Sequence, residues 1–416
     1  MSVSDQISKT SPWASVWLKP RQTIEAILAE RPRRGVLLLG TLSLMANTVS
    51  ELLRFAVESR MSDWRIIAVG VIACAIAGVT GLYIAAFLFK WSGRWLGGRA
   101  SAAELRVVVA WGMTPGLVGL VIALALVAFA SVMGAGNAAA PERVSTTLRA
   151  IVLVCGIWST VVFALMFSRA EGFGFWRTVA AWFVGGLLNV VLALSIAIGV
   201  RTLLFQPFNT PSHSMSPTLL LGDYFFVSKF AYGYTHYSIP FSPRWFSGRI
   251  FGSEPARGDV VVFRLPRDDS IDYVKRVIGL PGDRIQVKEG ALYVNGTAVK
   301  RDQTEDFVGG DSCGQDAAAK VKRWQETLPN GASYQVLDCV DNGFYDGTGV
   351  FEVPAGRVFV MGDNRDNSTD SRGVNFGTIP FDNLIGRVTM IYFSISAAVD
   401  GAPAAVRSGR VGRMVR

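Results

Sequence analysis

Three clusters in this chain hold residue types that could carry out acyl-transfer chemistry. The first is Thr210-Pro211-Ser212-His213-Ser214-Met215-Ser216-Pro217-Thr218, a Ser-x-Ser-Met element just past the last long apolar stretch. The second is Tyr273-Val274-Lys275-Arg276-Val277-Ile278-Gly279-Leu280-Pro281-Gly282-Asp283. The third is Gly362-Asp363-Asn364-Arg365-Asp366-Asn367-Ser368-Thr369-Asp370-Ser371-Arg372. A serine hydroxyl is a poor nucleophile until a base takes its proton. The chain has only two histidines, His213 and His236. On an extended strand His213 would point to the face opposite Ser214, so a Ser-His-Asp triad does not fit. A lysine can replace the histidine if burial in an apolar pocket lowers its pKa. Lys275 lies among Tyr273, Val274, Val277 and Ile278, which offer such surroundings. Taken alone, it reads more simply as a solvated lysine on an edge strand.

The elements that must position these clusters fall into two unlike halves. Of 416 residues, 50% are hydrophobic, and the apolar ones concentrate before residue 206. Residues 1–205 hold 18 Lys/Arg and 9 Asp/Glu, whereas residues 206–416 hold 23 of each, so the whole net charge of +9 lies in the apolar half. A nucleic-acid-binding domain would gather that charge on a soluble face; basic cytoplasmic loops of a membrane protein would distribute it as seen. Five stretches, Val36–Phe55, Ile66–Phe89, Val107–Val132, Ala150–Phe167 and Thr178–Val200, approach or exceed the ~20 apolar residues needed to cross a bilayer. Pro115 and Gly116 predict a break near the start of the third. With the N-terminus inside, Lys9, Lys19, Arg21, Arg31, Arg33, Arg34, Lys90, Arg94, Arg99, Arg106, Arg169 and Arg177 fall on the cytoplasmic side. Arg54, Arg60, Arg65, Arg143, Arg149 and Arg201 fall on the other, a 12-to-6 bias that places everything after residue 205 outside. The first 30 residues contain no apolar core of a cleavable signal peptide. Trp13, Trp17, Ile24, Ile27 and Leu28 could form the apolar stripe of a short interfacial helix, or belong to an ordinary helix facing solvent.

After residue 206 the pattern changes to short strand-like runs: 259–265, 272–278, 287–294, 357–361 and 387–393, punctuated by Gly-Asp and Pro-Gly-Asp turns. No long amphipathic helix interrupts them, which predicts an all-β exported domain. Residues 300–350 carry few strand signals and many Gly, Asp and Ala, as an insertion would. Cys313 and Cys339 lie in this exported half, where disulfides persist. A bridge between them would close a loop of about 27 residues and contribute roughly 3–4 kcal/mol; two free thiols are the alternative. Cys74 and Cys155 fall inside apolar spans and read as packing residues. The tail from Gly401 places Arg407, Arg410, Arg413 and Arg416 among small residues, a composition that predicts disorder.

Together the three clusters resemble the type I signal peptidases, membrane serine proteases with a Ser–Lys dyad, over roughly residues 200–395. The resemblance implies Ser214 as nucleophile and Lys275 as general base. It implies Ser212 as the hydroxyl that joins the Ser214 backbone N–H in binding the oxyanion. Ser368 would orient the lysine amine, Asp370 and Arg372 would form a supporting pair, and Arg276 follows the lysine on the opposite strand face. Substrate would add as a strand between residues 208–212 and 272–275, against a pocket of Pro211, Met215, Leu219, Tyr273 and Val274. These bulky residues would admit only small side chains, the Ala-x-Ala pattern of signal-peptide cleavage sites. The entry segment and the five spans resemble the Yip family of multispanning membrane proteins.

The resulting division is a cytoplasmic segment (1–34), a five-span Yip-like membrane domain (35–205), a signal-peptidase catalytic domain (206–396) with its insertion, and a disordered basic tail (397–416). The implied activity is removal of N-terminal signal peptides from exported precursors at the outer face of a bacterial inner membrane. The implied partners are those precursors, the bilayer and the secretion machinery, with no nucleic acid. From Arg201 to Ser214 is at most ~45 Å of extended chain, which keeps the nucleophile near the membrane. The run Phe241–Phe251, with Trp245, Phe246, Ile250 and two arginines, suits an interfacial anchor; a core segment is the alternative.

No metal or cofactor is expected. The acidic run from Asp366 would need a bidentate Glu at the position of Gly377 to bind Ca²⁺, and there is no His-Glu-x-x-His, Cys-x-x-Cys or phosphate-binding glycine loop. Two other readings compete. One is a Ser–Lys peptidase related to self-cleaving repressors, against which the five spans and the lack of a DNA-binding module weigh. The other is a membrane scaffold with an inactive β domain, against which intact Ser214, Lys275 and Ser368 weigh.

Overall fold

The computed structural model describes residues 11–30, 35–58, 64–133, 140–316, 318–396 and 405–415. Lys9, Arg31, Arg33, Arg34 and Arg60 of the charge count, and Gly401 and Arg416 of the tail, lie outside the described residues. The chain divides into two compact units, Met1–Ser195 and Ile196–Arg416.

In the first unit the apolar runs form helices, because a segment that satisfies its own backbone hydrogen bonds is what a bilayer core accepts. Among the described residues, five stretches are long and apolar enough to cross a membrane: Val36–Arg54, Ile67–Trp95, Ala102–Phe129, Val144–Glu171 and Phe175–Leu203. They coincide with the five expected spans. The third opens on a capping box, in which Ser101 Oγ accepts the Glu104 N–H and Glu104 accepts the Ser101 N–H. It breaks at Met113, between Ala102–Gly112 and Thr114–Met133, where Pro115 cannot donate to the preceding turn. The N-terminal stripe is divided between two short helices, Pro12–Ser15 and Pro20–Glu30. Val16, Ile24 and Ile27 join the core formed by Leu82, Phe89, Val108, Phe163 and Phe167, with Trp17 and Leu28 packed against it. Trp13, which contacts Trp111, stays half exposed.

The second unit is β-rich. Its main sheet comprises β1 (Phe205–Asn209), β2 (Asp223–Ser228), β3 (Val260–Leu265), β4 (Asp268–Gly279), β5 (Arg357–Met361), β6 (Ile379–Pro380) and β7 (Leu384–Ser394). The spatial order is β1-β2-β7-β3-β4-β5-β6, antiparallel throughout. β2, β3 and β7 bury Phe225, Val227, Val260, Val262, Val388 and Ile391 in one core. The run 287–294, expected as one strand, is a hairpin of Arg284–Lys288 and Ala291–Val294. Its turn residues Glu289 and Gly290 both have positive φ, the backbone that a two-residue hairpin turn requires.

Residues 300–350, with few strand signals, contain a sheet of Lys300–Gln303, Lys320–Thr327 and Ser333–Asp338. The signal was masked by charge: Glu326 is fully buried because Arg365 grips it through Nη1 at 2.9 Å. Cys313 and Cys339 are disulfide-bonded, with Cα atoms 5.6 Å apart. The expectation of a disordered tail does not hold for residues 405–415. They fold back beside β7 through bridges Ile395–Val406 and Met390–Met414, because buried Asp223 draws Arg407 and Arg410 onto it.

Candidate active site

β4 brings two cations into the interior at consecutive positions. Lys275, opposite Val261 of β3, is 2% exposed; Arg276, opposite Val260 and Met361, is 1% exposed. They meet different partners. Lys275 Nζ donates to Ser214 Oγ at 2.5 Å. Arg276 donates to both carboxylate oxygens of Asp363, at 2.8 and 2.6 Å, and stacks on Tyr334. Burial pushes the Lys275 ammonium down to about 8, against the opposing pull of the Asp370 and Asp363 carboxylates. Buried in this way, the amine has the local chemistry of a base and not of a solvated edge-strand lysine.

Ser214 lies in the turn that follows β1, and its carbonyl accepts the N–H of Asn364 at 3.1 Å. The Gly362–Arg372 loop passes close behind it. A Cβ on Gly362 would stand 2.5 Å from the Ser214 carbonyl oxygen and 2.2 Å from Ser368 Oγ, so only glycine fits there. The loop is braced by Asp370, which accepts the Gly362 N–H at 3.0 Å and two bonds from Arg372 at 2.9 Å each. Burial alone would raise the Asp370 carboxyl, but the Arg372 guanidinium outweighs it and holds the carboxyl below its ordinary range. Ser368 is buried beside Gly362, where its hydroxyl faces the Asp370 carboxylate and helps hold it below its ordinary range. The hydrogen bond of the Lys275 amine goes to Ser214, while Ser368 serves Asp370.

Ser212 Oγ is 3.2 Å from Ser214 Oγ, on the open side of the site. His213 turns away, toward Ser312 and Asp311. The dyad opens into a cleft of about 590 Å³. Asn209, Pro211 and Ser212 form one wall, and Ile271 to Lys275 form the other. Among the described residues, 268–275 of β4 pair only with β3 on one edge, and β1 pairs only with β2. Unpaired backbone therefore borders the cleft on both sides.

Of the expected pocket residues, Pro211, Tyr273 and Val274 line this cleft. Met215 and Leu219 do not; both are fully buried in the core beneath it. The Leu219 N–H donates to the Met215 carbonyl at 2.9 Å. This helical turn puts the two side chains on one inward face, so the positions the resemblance implies for the pocket lie below it. Phe208, Phe225, Val262 and Ile271 line the cleft instead, and no local signal could have nominated them. Asn364 and Gly362 stand within a motif legible in the sequence, but their backbone roles are not.

A hydroxyl in contact with a buried amine, at the mouth of a cleft between two free strand edges, is machinery suited to a serine-type peptidase acting on extended chains. Comparison with known proteins agrees. The family model "Signal peptidase, peptidase S26" matches residues 183–393, and the chain belongs to that family. A Yip1 domain model matches residues 14–198. Similar proteins include signal peptidase I of Rickettsia typhi, 44% identical over 214 residues that cover 50% of this chain and 78% of the relative. Signal peptidase I of Rickettsia prowazekii is 42% identical over the same shares. A solved signal peptidase I from Enterococcus faecalis is 27% identical and covers 33% of this chain and 98% of its own, with a TM-score of 0.20.

Proposed function

We propose that this chain is a membrane-bound endopeptidase that removes signal peptides from exported precursors, with Ser214 as nucleophile and Lys275 as general base. The observation that carries the reading is the 2.5 Å contact between a buried, pKa-lowered amine and the Ser214 hydroxyl. The neutral amine takes the Ser214 proton as Oγ attacks the scissile carbonyl. The oxyanion forms beside the Ser214 N–H, which has no protein acceptor among the described residues, and the Ser212 hydroxyl. Collapse breaks the C–N bond; the Lys275 ammonium returns its proton to the leaving amine and an ester to Ser214 remains. Water, deprotonated by the same lysine, then hydrolyses that ester. Ser368, Asp370, Arg372 and Arg276 hold the frame around the pair.

The two free strand edges support binding of substrate as an added strand, with side chains directed into the cleft. Five spans and the basic bias of the first half support a multi-pass anchor with a cytoplasmic N-terminus and an extracytoplasmic catalytic domain. Exposed Phe241, Trp245 and Phe251 support contact of that domain with the bilayer. The machinery that delivers the same precursors is the natural neighbour of such an enzyme. The test is cleavage of a model precursor by detergent-solubilised enzyme. Folded Ser214→Ala and Lys275→Ala should each lose cleavage as completely as the double variant, and near-normal turnover by folded Lys275→Ala would refute the dyad.

A further inference from the structure

The turn that carries Ser214 is closed at its base by backbone bonds: the Thr210 N–H donates to Asp223 O at 2.8 Å and the Gly222 N–H to Thr210 O at 3.2 Å. Asp223, the first residue of β2, is fully buried, and its carboxylate is surrounded by donors. Ser394 Oγ donates to it at 2.6 Å and the Leu220 N–H at 2.8 Å. The remaining donors come from the C-terminal segment. Arg410 reaches Asp223 through Nε at 3.0 Å and Nη2 at 2.5 Å, and Arg407 through Nη2 at 3.5 Å.

The same two guanidiniums also hold the turn's own backbone. Arg410 donates to Thr218 O at 2.9 Å and Arg407 to Leu221 O at 2.6 Å. Arg407 is itself fixed by Ser394 Oγ at 2.8 Å and Ile395 O at 3.0 Å. From the opposite side, Thr218 Oγ1 donates to Asp363 at 2.5 Å and receives Arg276 at 3.2 Å. Arg276 follows Lys275 directly, and Asp363 follows Gly362, the residue packed on the Ser214 carbonyl. The turn is therefore gripped between the Arg276–Asp363 pair, which borders the lysine, and two arginines from the far end of the chain. There is no slack at its end: a Cβ on Gly222 would stand 2.1 Å from the Ile395 carbonyl oxygen.

We infer that the C-terminal segment is a clasp in which Arg407 and Arg410 act as positioning residues, holding the Ser214 turn in register with Lys275. This rests on the Ser–Lys reading. Neither arginine touches the dyad; each acts through Asp223 and the turn. Without them a buried carboxylate loses its cationic partners and must reorganise, and displacement of a reacting group by about 1 Å can lower turnover by about 10²-fold. The binding cleft, most of whose lining residues lie on β1, β2, β3 and β4 outside the turn, would persist.

The experiment uses the full-length enzyme in detergent and a precursor with an Ala-x-Ala site. Arg407→Ala, Arg410→Ala and the double variant are compared in kcat, KM and folded fraction by protease resistance. The double variant should lose roughly 10–100-fold in kcat per folded molecule while KM moves less than about threefold. Added guanidinium ion should restore part of the loss. Arg410→Lys should recover only part of it, since an ammonium cannot reproduce the fork that spans Asp223 and Thr218 O. If the double alanine variant does not fold, the double lysine variant, which keeps both charges, is expected to show a smaller loss that is still specific to kcat. Wild-type kcat per folded molecule, or a loss confined to KM, would overturn the clasp. Ser214→Ala separates the two readings. Cleavage by Ser214→Ala would overturn the dyad itself, whereas an inactive Ser214→Ala beside fully active arginine variants would overturn the clasp alone.

Discussion

The pH dependence of cleavage follows from the position of one amine. A lysine in water loses its proton near 10.4, and burial brings Lys275 down to about 8. At pH 7 about one molecule in ten then holds a neutral amine, against about one in 2,500 for an unburied lysine, a gain of roughly 200-fold in competent base. The rate at limiting precursor should climb about tenfold per pH step well below 8, bend near 8, and level above it. From pH 6 to pH 9 the total rise should be about 90-fold; a lysine at its free value would give about 1,000-fold with no bend. The lowered pKa has a second consequence, in stability. The unfolded chain keeps the proton up to about 10.4 and the folded chain only to about 8, so stability rises with pH between those values. Below pH 8 the full penalty is present, and the drop to about 8 corresponds to about 3 kcal/mol. Lys275→Met, which fills the same space without a charge, should be inactive yet more stable at pH 7 by up to that amount, with the gap closing between pH 8 and 10.4. The assays are initial-rate cleavage across pH 6–10 and urea unfolding followed by hydrogen exchange at β4, both on the full-length enzyme. A rate still climbing tenfold per step beyond pH 9, or a Met variant less stable than wild type at pH 7, would show that the amine is not desolvated as its burial implies.

Gly362→Ala should lose most activity in a folded enzyme, because the new methyl must displace either the Ser214 carbonyl oxygen at 2.5 Å or Ser368 Oγ at 2.2 Å; kcat measured on protein of normal protease resistance checks this. Val274→Ala should relax the demand for a small residue before the cut, since Val274 lines the cleft. Leu219→Ala should instead leave specificity alone and destabilise the domain by about 2–5 kcal/mol, the usual range for a buried leucine. A precursor series varied at the residues one and three before the cut, read beside urea unfolding, distinguishes the two.

What could be read from the sequence was what neighbouring residues decide among themselves. Apolar runs long enough to span a bilayer must be helices there, and Pro115 must break one; both hold because the cause lies within the segment. Lys275 was legible as a base through the match of the three clusters together, since its apolar strand neighbours alone leave a solvated edge-strand lysine the simpler reading. The chemistry of its environment was not, since the Ser214 hydroxyl, the Asp370 carboxylate and the Asp363 carboxylate all come from distant parts of the chain. Met215 and Leu219, implied as pocket residues by the resemblance, lie in the core because the backbone there closes into a helical bond and turns both side chains inward, which a matched motif does not reveal.

The largest misreading, the tail, has the same origin with the sign reversed. Arginines among small residues have no apolar partner to nominate, so composition alone predicts a solvated segment. Yet a carboxylate at Asp223 that is fully buried must be matched by cations, and nothing within its own strand supplies them. The demand arises some 190 residues before the residues that meet it. In this domain the apolar core can be inferred from local pattern, but the charges inside it cannot. Arg276–Asp363, Arg365–Glu326 and Arg372–Asp370 are buried pairs, and Arg410–Asp223 joins a half-buried arginine to a buried carboxylate. All but Arg372–Asp370 join separate segments, and every pair borders either the dyad or the loops that carry it. Each would be costly to break and none needed for a core as such, which is the expected signature of charges retained to fix the position of a catalytic turn and not to hold the fold together.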